Sequence, residues 1–394
     1  MATPPFEIPA EWSAVATAIH GSGKQIVIAV TGGGSGAIAA LLQTPGASRT
    51  MLEAVVPYSQ AALVAWIGAT PEQACSAATA RAMAVAAFER AKRLAPDGDR
   101  EAWLGIGATA SLATDRPKRG ERRVYLAHHS CQRTFSAFFS LDDLPANRAS
   151  DERATAELIL SIVASGCAWP DPSIGLMRAP GEGVHAQDAQ IELAMGDRRR
   201  ILLKPEEEYE YFDDASAPPI TLLFPGAFNP PHAGHLRMAE IAERQLGVSA
   251  AWELSITNVD KPPLDFISLD ERIVQLRAFD AERVVALTRA PTFREKSELF
   301  PGATFVVGID TLVRIAEPRY YGDDDSSRDA AIAEIAARGC RFLAFGRVMD
   351  GRFHVLSDIT LPPALAAICD EVPTSEFRED VSSTTLRRAD GSGK

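Results

Sequence analysis

Cysteine is scarce in this chain, and its few residues are too widely spaced to form a recognisable framework. The five are Cys75, Cys131, Cys167, Cys340 and Cys369. No two of them stand in a CxxC pair, which argues against a zinc site and against a disulfide-stabilised fold. No basic stretch followed by an apolar run marks the N-terminus as a secretory signal. We therefore expect free thiols and a cytoplasmic protein.

Long apolar runs and an excess of positive charge are also missing. No run approaches the roughly 18 apolar residues that a membrane helix needs, so we expect no membrane association. Lys and Arg number 40 against 52 Asp and Glu, a net charge of −12, which excludes a general surface for nucleic-acid polymers. A single nucleotide can still be held by a few cations and backbone N–H groups. The length of 394 residues predicts two or three domains.

Apolar strands alternate with helical segments in two parts of the chain. The predicted strands are Gln25–Val30, Val124–Ala127, Ile220–Phe224, Ala251–Ile256, Thr304–Val307 and Arg341–Phe345, and the predicted helices include Pro71–Leu94, Asp151–Ser165, Leu269–Ala278 and Arg328–Ala337. The pattern predicts an α/β fold with two α/β domains, the second a doubly wound, Rossmann-like parallel sheet. We place the domains at 1–165 and 219–394. The Pro-rich, acidic stretch 166–218 is interpreted as a connector, with a possible strand at Arg200–Leu203.

A histidine-containing loop follows the strand Ile220–Phe224. It reads Gly226-Ala227-Phe228-Asn229-Pro230-Pro231-His232-Ala233-Gly234-His235 and leads into a predicted helix at Leu236–Leu246. His232 and His235 are three residues apart, so at a helix start they can reach the same group. The helix N-terminus adds unpaired N–H groups and partial positive charge. Two imidazoles at such an end suit an oligophosphate.

This loop resembles the GxFxPxHxGH hallmark of the nucleotidylyltransferase superfamily, without departure. The resemblance implies transfer of a nucleotidyl group from a nucleoside triphosphate to a small phosphorylated acceptor, with release of pyrophosphate. It implies catalytic roles for His232 and His235, and binding of the donor by Gly226, Phe228, Asn229 and Gly234. It also implies Mg²⁺, held mainly by the phosphates and water, and we assign no metal-binding residue.

A second motif stands near the C-terminus. The run Val381-Ser382-Ser383-Thr384-Thr385-Leu386-Arg387 lies about 150 residues after the histidine loop. A Ser or Thr can cap a helix, and an Arg one turn later can reach a phosphate. The run resembles the ISSTxxR element of the same superfamily, which implies that Ser383 and Thr384 bind the triphosphate and that Arg387 is catalytic.

Three further matches concern the acceptor. Lys261, followed by Ser268 and Arg272, is similar to the K…SxxxR stretch of several branches. Gly308-Ile309-Asp310 resembles the GxD element of nicotinamide- and nicotinate-mononucleotide adenylyltransferases, and Arg347 ends a late strand as in that branch. The resemblance implies substrate binding by Lys261, Gly308, Asp310 and Arg347. Alternatively, Asp310 could simply cap a helix and Lys261 could be a solvated loop lysine. No tryptophan stands where that branch stacks the pyridine ring, since Trp252 lies earlier.

Three stretches of the first domain are Thr31-Gly32-Gly33, Pro45-Gly46-Ala47-Ser48 and Val55-Val56-Pro57-Tyr58-Ser59. They resemble the C-terminal domain family of CinA, which includes nicotinamide-nucleotide amidases, and the likeness covers about residues 10–165. That family has a serine nucleophile two residues before a Thr-Gly-Gly, but Ala29 stands there. Leu63 replaces its lysine, and Tyr58 persists. A methyl group cannot attack an amide, so we expect a catalytically silent domain. Two alternatives stay open, substitution of the nucleophile by Ser35 and a dinucleotide fingerprint at Gly32–Ala37 with Glu53 downstream.

The sequence thus favours an ATP-dependent adenylyltransferase acting on a pyridine mononucleotide. A cytidylyltransferase or a phosphopantetheine-type adenylyltransferase is the alternative within enzymes. A nucleotide-binding scaffold without turnover is the alternative outside them. A homo-oligomer is compatible with each of these functions.

Overall fold

The structure, a computed structural model, describes residues 8–115, 120–167, 176–204, 219–259, 263–349 and 351–378. The chain divides into two compact units. Unit 1 comprises Met1–Gln187 and Asp260–Ser268, and unit 2 comprises Asp188–Val259 and Leu269–Lys394.

Unit 1 is a mixed α/β unit. Its helices are α1 (Ala10–His20), α2 (Ser35–Gln43), α3 (Gln60–Ile67), α4 (Ala77–Leu94) and α5 (Arg148–Gly166), and its strands are β1 (Gln25–Thr31), β2 (Met51–Val55), β3 (Trp103–Ser111), β4 (Arg123–His129), β5 (Arg133–Ser140) and β6 (Gly181–His185). The sheet order is β2-β1-β3-β4-β5-β6. Strand β1 is parallel to β2 and β3, whereas the pairs from β3 to β6 are antiparallel.

Helix α4 packs closely on the sheet of unit 1 because small residues face each other. A Cβ placed on Gly105 or Gly107 of β3 would lie 2.1 Å from a backbone oxygen of α4. The helix is shorter than the predicted Pro71–Leu94, since it begins at Ala77. The side-chain hydroxyl of Ser76 accepts a hydrogen bond from the Thr79 N–H, so Ser76 is the N-cap residue at which the helix begins.

Residues of Asp260–Ser268 that the structure describes are held by buried polar contacts inside unit 1. Arg81 Nε on α4 lies 3.2 Å from the carboxylate of Asp265, and the exposed fractions of the two side chains are only 10% and 8%. The Phe266 N–H donates to the Thr134 hydroxyl at 3.0 Å, and that hydroxyl is hydrogen-bonded to His129 Nδ1. The described residues of this short segment are therefore an integral part of unit 1.

Unit 2 is a doubly wound sheet. Its elements are α6 (Asp188–Met195), β7 (Arg200–Leu203), β8 (Leu222–Pro225), α7 (Ala233–Leu246), β9 (Ala251–Ser255), α8 (Phe266–Phe279, which starts in unit 1), β10 (Val285–Thr288), α9 (Phe293–Leu299), β11 (Thr304–Gly308), α10 (Ile309–Ala316), α11 (Asp325–Ala337), β12 (Arg341–Phe345), β13 (Arg347–Met349), β14 (Arg352–His354), α12 (Pro363–Ala366) and β15 (Cys369–Glu371). The order β15-β12-β11-β8-β9-β10-β7 is parallel except for β7, which pairs antiparallel with β10.

The α/β fold class with a Rossmann-like second sheet is confirmed, and one assignment needs correction. The stretch 166–218 is not a plain connector, because β6 completes the sheet of unit 1 and α6 and β7 belong to unit 2. The division falls between Gln187 and Asp188. The predicted strand Arg200–Leu203 is present, at the edge of the second sheet. None of the helices described combines the length and apolar character that crossing a membrane requires.

A buried histidine in unit 1 is exposed to almost no water. His128 on β4 is 3% exposed and stacks on Phe135 with ring centroids 5.5 Å apart. Neither of its ring nitrogens has a hydrogen-bond partner among the described residues. Burial, followed by the charge of Arg133, lowers the pKa of His128 to about 3. The residue is therefore neutral in the folded protein down to strongly acidic pH.

We expect His128→Leu to protect unit 1 against acid. Because the folded-state pKa is lowered, only the unfolded chain takes up this proton as the pH falls below about 6.5. The contribution of His128 then lowers the free energy of unfolding of the wild type by up to about 1.4 kcal/mol for each unit that the pH falls. Leucine takes up no proton, so the variant does not show this loss. Urea unfolding at about pH 7.5 and at about pH 5, monitored through hydrogen exchange of the β4 amides, measures this pH dependence of stability. An equal difference between variant and wild type at both pH values would contradict it.

Candidate active site

The histidine loop leaves the sheet at the carboxyl end of β8, where ligands bind in open α/β sheets. The Gly226 N–H donates to the Glu253 carbonyl of β9 at 3.0 Å. A Cβ on Gly226 would lie 2.6 Å from the ring of Phe228. Phe228 itself has a φ of 45° and is 2% exposed. A glycine is required here because the aromatic ring folds back over the start of the loop.

An aromatic cluster supports the loop from within unit 2. Phe228 contacts Trp252 of β9 and His235 of α7, with ring centroids 5.0 and 5.3 Å apart. Phe224 contacts both Phe228 and Trp252. Trp252 is fully buried, so it packs under the loop and leaves no ring face for a ligand. Phe228 likewise contributes by shaping the loop.

The two histidines form the start of α7. His232 is the N-cap residue, and its N–H donates to His235 Nδ1 at 3.1 Å. The rings stack with centroids 3.7 Å apart. Because Nδ1 of His235 accepts a hydrogen bond, the proton of the neutral ring belongs on Nε2. His235 therefore presents a hydrogen-bond donor.

Both imidazoles are held in the neutral form. Burial, followed by the nearby charge of Arg347, lowers the pKa of His232. Burial, with His232 and Arg347 as further causes, lowers the pKa of His235 to about 3. Arg347 therefore places a full positive charge near two imidazoles that are neutral in the absence of a ligand.

Arg347, Asp310 and Gly308 lie together just beyond the neighbouring strands β11 and β12. Gly308 ends β11, Asp310 is in the first turn of α10, and Arg347 begins β13 instead of ending β12 as the sequence predicts. Arg347 Nη1 is 3.4 Å from Asp310 Oδ1, in a half-exposed ion pair. A Cβ on Gly308 would lie 2.5 Å from that same carboxylate oxygen. Gly308 is the N-cap residue of α10, and no side chain caps this helix. Asp310 thus faces Arg347 instead of serving as the cap of the helix.

Some of the site residues predicted from the sequence lie near one another in the structure, and others lie outside the residues that it describes. The structure brings together His232, His235 and Arg347, and it pairs Arg347 with Asp310 beside Gly308. Asn229 is half-buried within the loop, and Gly234 is buried in the first turn of α7. Lys261, Ser383, Thr384 and Arg387 lie outside the described residues. Within the described part of the chain no group of three metal-ligating side chains occurs.

The amidase-like positions of unit 1 are filled by apolar packing. Ala29 and Leu63, which the sequence resemblance predicts at the places of the amidase serine and lysine, are 0% and 2% exposed. They belong to one cluster with Ile67 and Met83. Tyr58, by contrast, is 67% exposed. The place of the nucleophile and the place of the lysine are therefore both apolar and closed.

The glycine-rich loop of unit 1 is occupied by a carboxylate of the protein. Glu152 Oε1 accepts the Gly34 N–H, the Ser35 N–H and the Ser35 hydroxyl, each at 2.9 Å. These N–H groups at the start of α2 are those that a dinucleotide pyrophosphate would need. Glu53, the downstream acid of that fingerprint, is paired with Arg90 at 2.7 Å. The geometry argues against a dinucleotide site at this loop.

Comparison with known proteins places unit 2. The family model described as cytidylyltransferase-like matches residues 223–389. A probable nicotinate-nucleotide adenylyltransferase from Gloeobacter violaceus is 30% identical over 185 residues, which cover 44% of this chain and 84% of that protein. A putative nicotinamide mononucleotide adenylyltransferase from Schizosaccharomyces pombe is 28% identical, covering 46% and 74%.

A probable nicotinate-nucleotide adenylyltransferase from Mesorhizobium japonicum is 36% identical over 104 residues, 23% of this chain. The chain spans about half the length of that relative, 53%. Among solved structures, the competence/damage inducible protein CihA from Agrobacterium tumefaciens is 20% identical, with a TM-score of 0.35, covering 41% of this chain and 99% of that one. A CinA superfamily protein from Escherichia coli is 15% identical, with a TM-score of 0.31, covering 43% and 93%.

The chain covers 84% of the relative from Gloeobacter violaceus at 30% identity, and the matching family model spans the histidine loop, Asp310 and Arg347. On this basis the chain belongs to the cytidylyltransferase-like family of nucleotidyltransferases.

Proposed function

We propose that the protein transfers the adenylyl group of MgATP to nicotinamide or nicotinate mononucleotide and releases pyrophosphate. The observation that carries the proposal is that two neutral imidazoles at the start of α7 lie near the charge of Arg347, which is itself paired with Asp310 in the first turn of α10. Two relatives named as nicotinate-nucleotide and nicotinamide mononucleotide adenylyltransferases are similar to this chain over 44% and 46% of its length, which supports the proposal. Mg²⁺ enters with the triphosphate as part of the substrate.

The chemistry is a substitution at the α-phosphorus of ATP. A phosphate oxygen of the acceptor attacks in line, the bond from the α-phosphorus to the bridging oxygen breaks, and pyrophosphate leaves with the electron pair. Little covalent chemistry is required of the protein, so positioning and charge stabilisation dominate. His235 Nε2–H, His232 and the N–H groups at the start of α7 donate to the triphosphate. Ser383, Thr384 and Arg387 contribute to the same task.

The acceptor side uses the paired charges next to the histidines. The Arg347 guanidinium is 44% exposed and is oriented by Asp310, so it can neutralise the acceptor phosphate as this approaches the donor. Gly308 leaves room for the Asp310 carboxylate. Lys261 supplies a second cation. The contacts of this pair do not select one donor or one acceptor. An assay must therefore distinguish ATP from CTP as the donor, and a pyridine mononucleotide from a pantetheine phosphate as the acceptor.

The central prediction is pyrophosphate release from ATP with nicotinamide or nicotinate mononucleotide, lost in His235→Ala. The alanine removes the Nε2–H donor and also the acceptor of the His232 N–H, and we expect kcat to fall about a hundredfold or more. His235→Gln keeps an acceptor and a donor on one side chain, so it should retain more activity than the alanine variant. Continuous detection of pyrophosphate measures both.

The assay separates the candidate functions. Release with CTP only, or with a pantetheine phosphate only, would move the assignment to another branch of the family. Nucleotide binding without release in any combination would favour a scaffold. Wild-type turnover by a folded His235→Ala protein would remove the histidine loop from the mechanism.

Asp310→Asn should act on the acceptor. Loss of the carboxylate charge frees Arg347 from its ion pair, so we expect the KM for the mononucleotide to rise about tenfold and the KM for ATP to change less than about twofold. Asp329→Asn on α11, whose ion pair with Arg328 is on the surface, is the matched control. A rise in the KM for ATP alone would place Asp310 on the donor side.

Unit 1 should release no ammonia from nicotinamide mononucleotide, because its nucleophile and lysine positions are buried and apolar. Ala29→Ser should not restore the reaction, since Leu63 leaves the new hydroxyl without a base. An ammonia assay with the wild type and with this variant checks both statements. Steady release by the wild type would mean that another residue of unit 1 is the nucleophile.

A further inference from the structure

A buried ion pair next to the histidine loop has no part in the proposed chemistry. Lys296 Nζ of α9 lies 2.7 Å from each carboxylate oxygen of Glu253 on β9. The Thr288 hydroxyl of β10 donates to the same carboxylate. The exposed fractions of the Lys296 and Glu253 side chains are 7% and 1%. Apolar side chains of similar volume are often as stable as such a pair or more so, so stability alone is a weak reason for it.

The main chain of Glu253 holds the first residue of the histidine loop. Its carbonyl accepts the Gly226 N–H at 3.0 Å, and Glu253 is the register partner of Pro225, the last residue of β8. The residue that carries the buried charge is therefore also the one beside which the loop leaves the sheet. Any rotation of β9 at this point changes the direction in which the loop starts.

The preceding residue supports the loop from the other face of the sheet, because successive side chains of a strand point to opposite faces. Trp252 is packed against Phe228, and Phe228 against His235. A chain of contacts thus runs from the α9 side of β9, through the strand, to the imidazole. The Glu253–Lys296 pair restrains β9 on one face, and Trp252 carries the loop on the other.

We propose that the Glu253–Lys296 pair is a positioning element that sets the rotation of β9 and, through Trp252 and Phe228, orients the imidazole of His235. The pair touches no reacting atom. Its role is to maintain the hydrogen bond from the His232 N–H to His235 Nδ1, so that Nε2 carries the proton and the ring has one fixed orientation. The kinetic part of this inference rests on the proposed function, whereas the orientation of the imidazole does not.

The decisive variant replaces both charges, Glu253→Leu together with Lys296→Met, in the full chain. The double change leaves no unpaired buried charge and keeps the volume, although the buried Thr288 hydroxyl loses its acceptor, so the protein should fold with a melting temperature close to that of the wild type. We expect kcat to fall about tenfold, with the KM for the acceptor within about twofold of the wild type. A purely structural pair would leave kcat unchanged in such a stable protein.

The second readout is independent of activity. ¹⁵N spectra of the histidine side chains report which ring nitrogen carries the proton. In the wild type His235 should show one tautomer with the proton on Nε2, and in the double variant a mixture of the two. Arg294→Met is the matched control, because Arg294 lies on the same helix and its ion pair with Glu334 is exposed. This control should leave both readouts at wild-type values.

The outcomes divide clearly. A folded double variant with wild-type kcat and an unchanged His235 spectrum overturns the proposal. If the double variant does not fold, Glu253→Gln together with Lys296→Met, which removes both charges and keeps a side-chain oxygen for the Thr288 hydroxyl, should give a shift in the same direction, and no shift again overturns the proposal. If the wild type releases no pyrophosphate with any acceptor, the proposed function fails, and the spectra alone decide on the positioning element.

Discussion

The hydrogen bond from the His232 N–H to His235 Nδ1 connects the fold of unit 2 to its chemistry. It ends the loop and begins α7, in the place where a Glu or Gln side chain often serves a helix start. The same bond decides which nitrogen of His235 carries the proton. A side chain that would otherwise be free to exchange tautomers is thereby made into a donor of fixed direction. Gly226 and the aromatic rings below the loop support this arrangement of the two histidines.

The part of the site that lies on one short stretch of chain was predictable from the sequence. The histidine loop and the Gly308–Asp310 element each combine their residues within ten positions, and each follows a run that is strongly apolar. Their contact with Arg347 also follows from the parallel order of the strands, since carboxyl ends share one edge of the sheet. The aromatic support was less visible. Trp252 gives no local signal that it packs beneath Phe228.

Contacts between distant parts of the chain account for what the sequence did not predict. The pairing of Glu253 with Lys296 joins residues 43 positions apart, and a lysine on a short helix ordinarily indicates a solvated surface. Strand β10, four residues long, is absent from the predicted strands and is held in the sheet by its pairing with β9 and β7. β6, with its two glycines and exposed residues, lacks apolar alternation and is a strand only because it pairs with β5. For that reason 166–218 looked like a connector.

Unit 1 differs from unit 2 in how its polar loop groups are satisfied. Its glycine-rich loop directs N–H groups at a point where the protein's own Glu152 sits, and its amidase-like positions are closed by Ala29 and Leu63. In unit 2 the strand end that leads into α7 carries two histidines instead. The His232 and His235 rings stay neutral and His232 Nδ1 is buried without a partner among the described residues.

Neutral donors suit a reaction that must let its product go. A pair of imidazolium ions would attract the triphosphate strongly, but would hold the departing pyrophosphate, which is as highly charged, equally well. Binding substrate and product alike does not lower the barrier between them. Donors without full charge, next to the half-exposed Arg347–Asp310 pair, instead offer directed hydrogen bonds whose strength grows as charge develops on the leaving oxygen. The net charge of −12 is then no obstacle, because recognition of the phosphates depends on the direction of a few donors and not on the overall field of the protein.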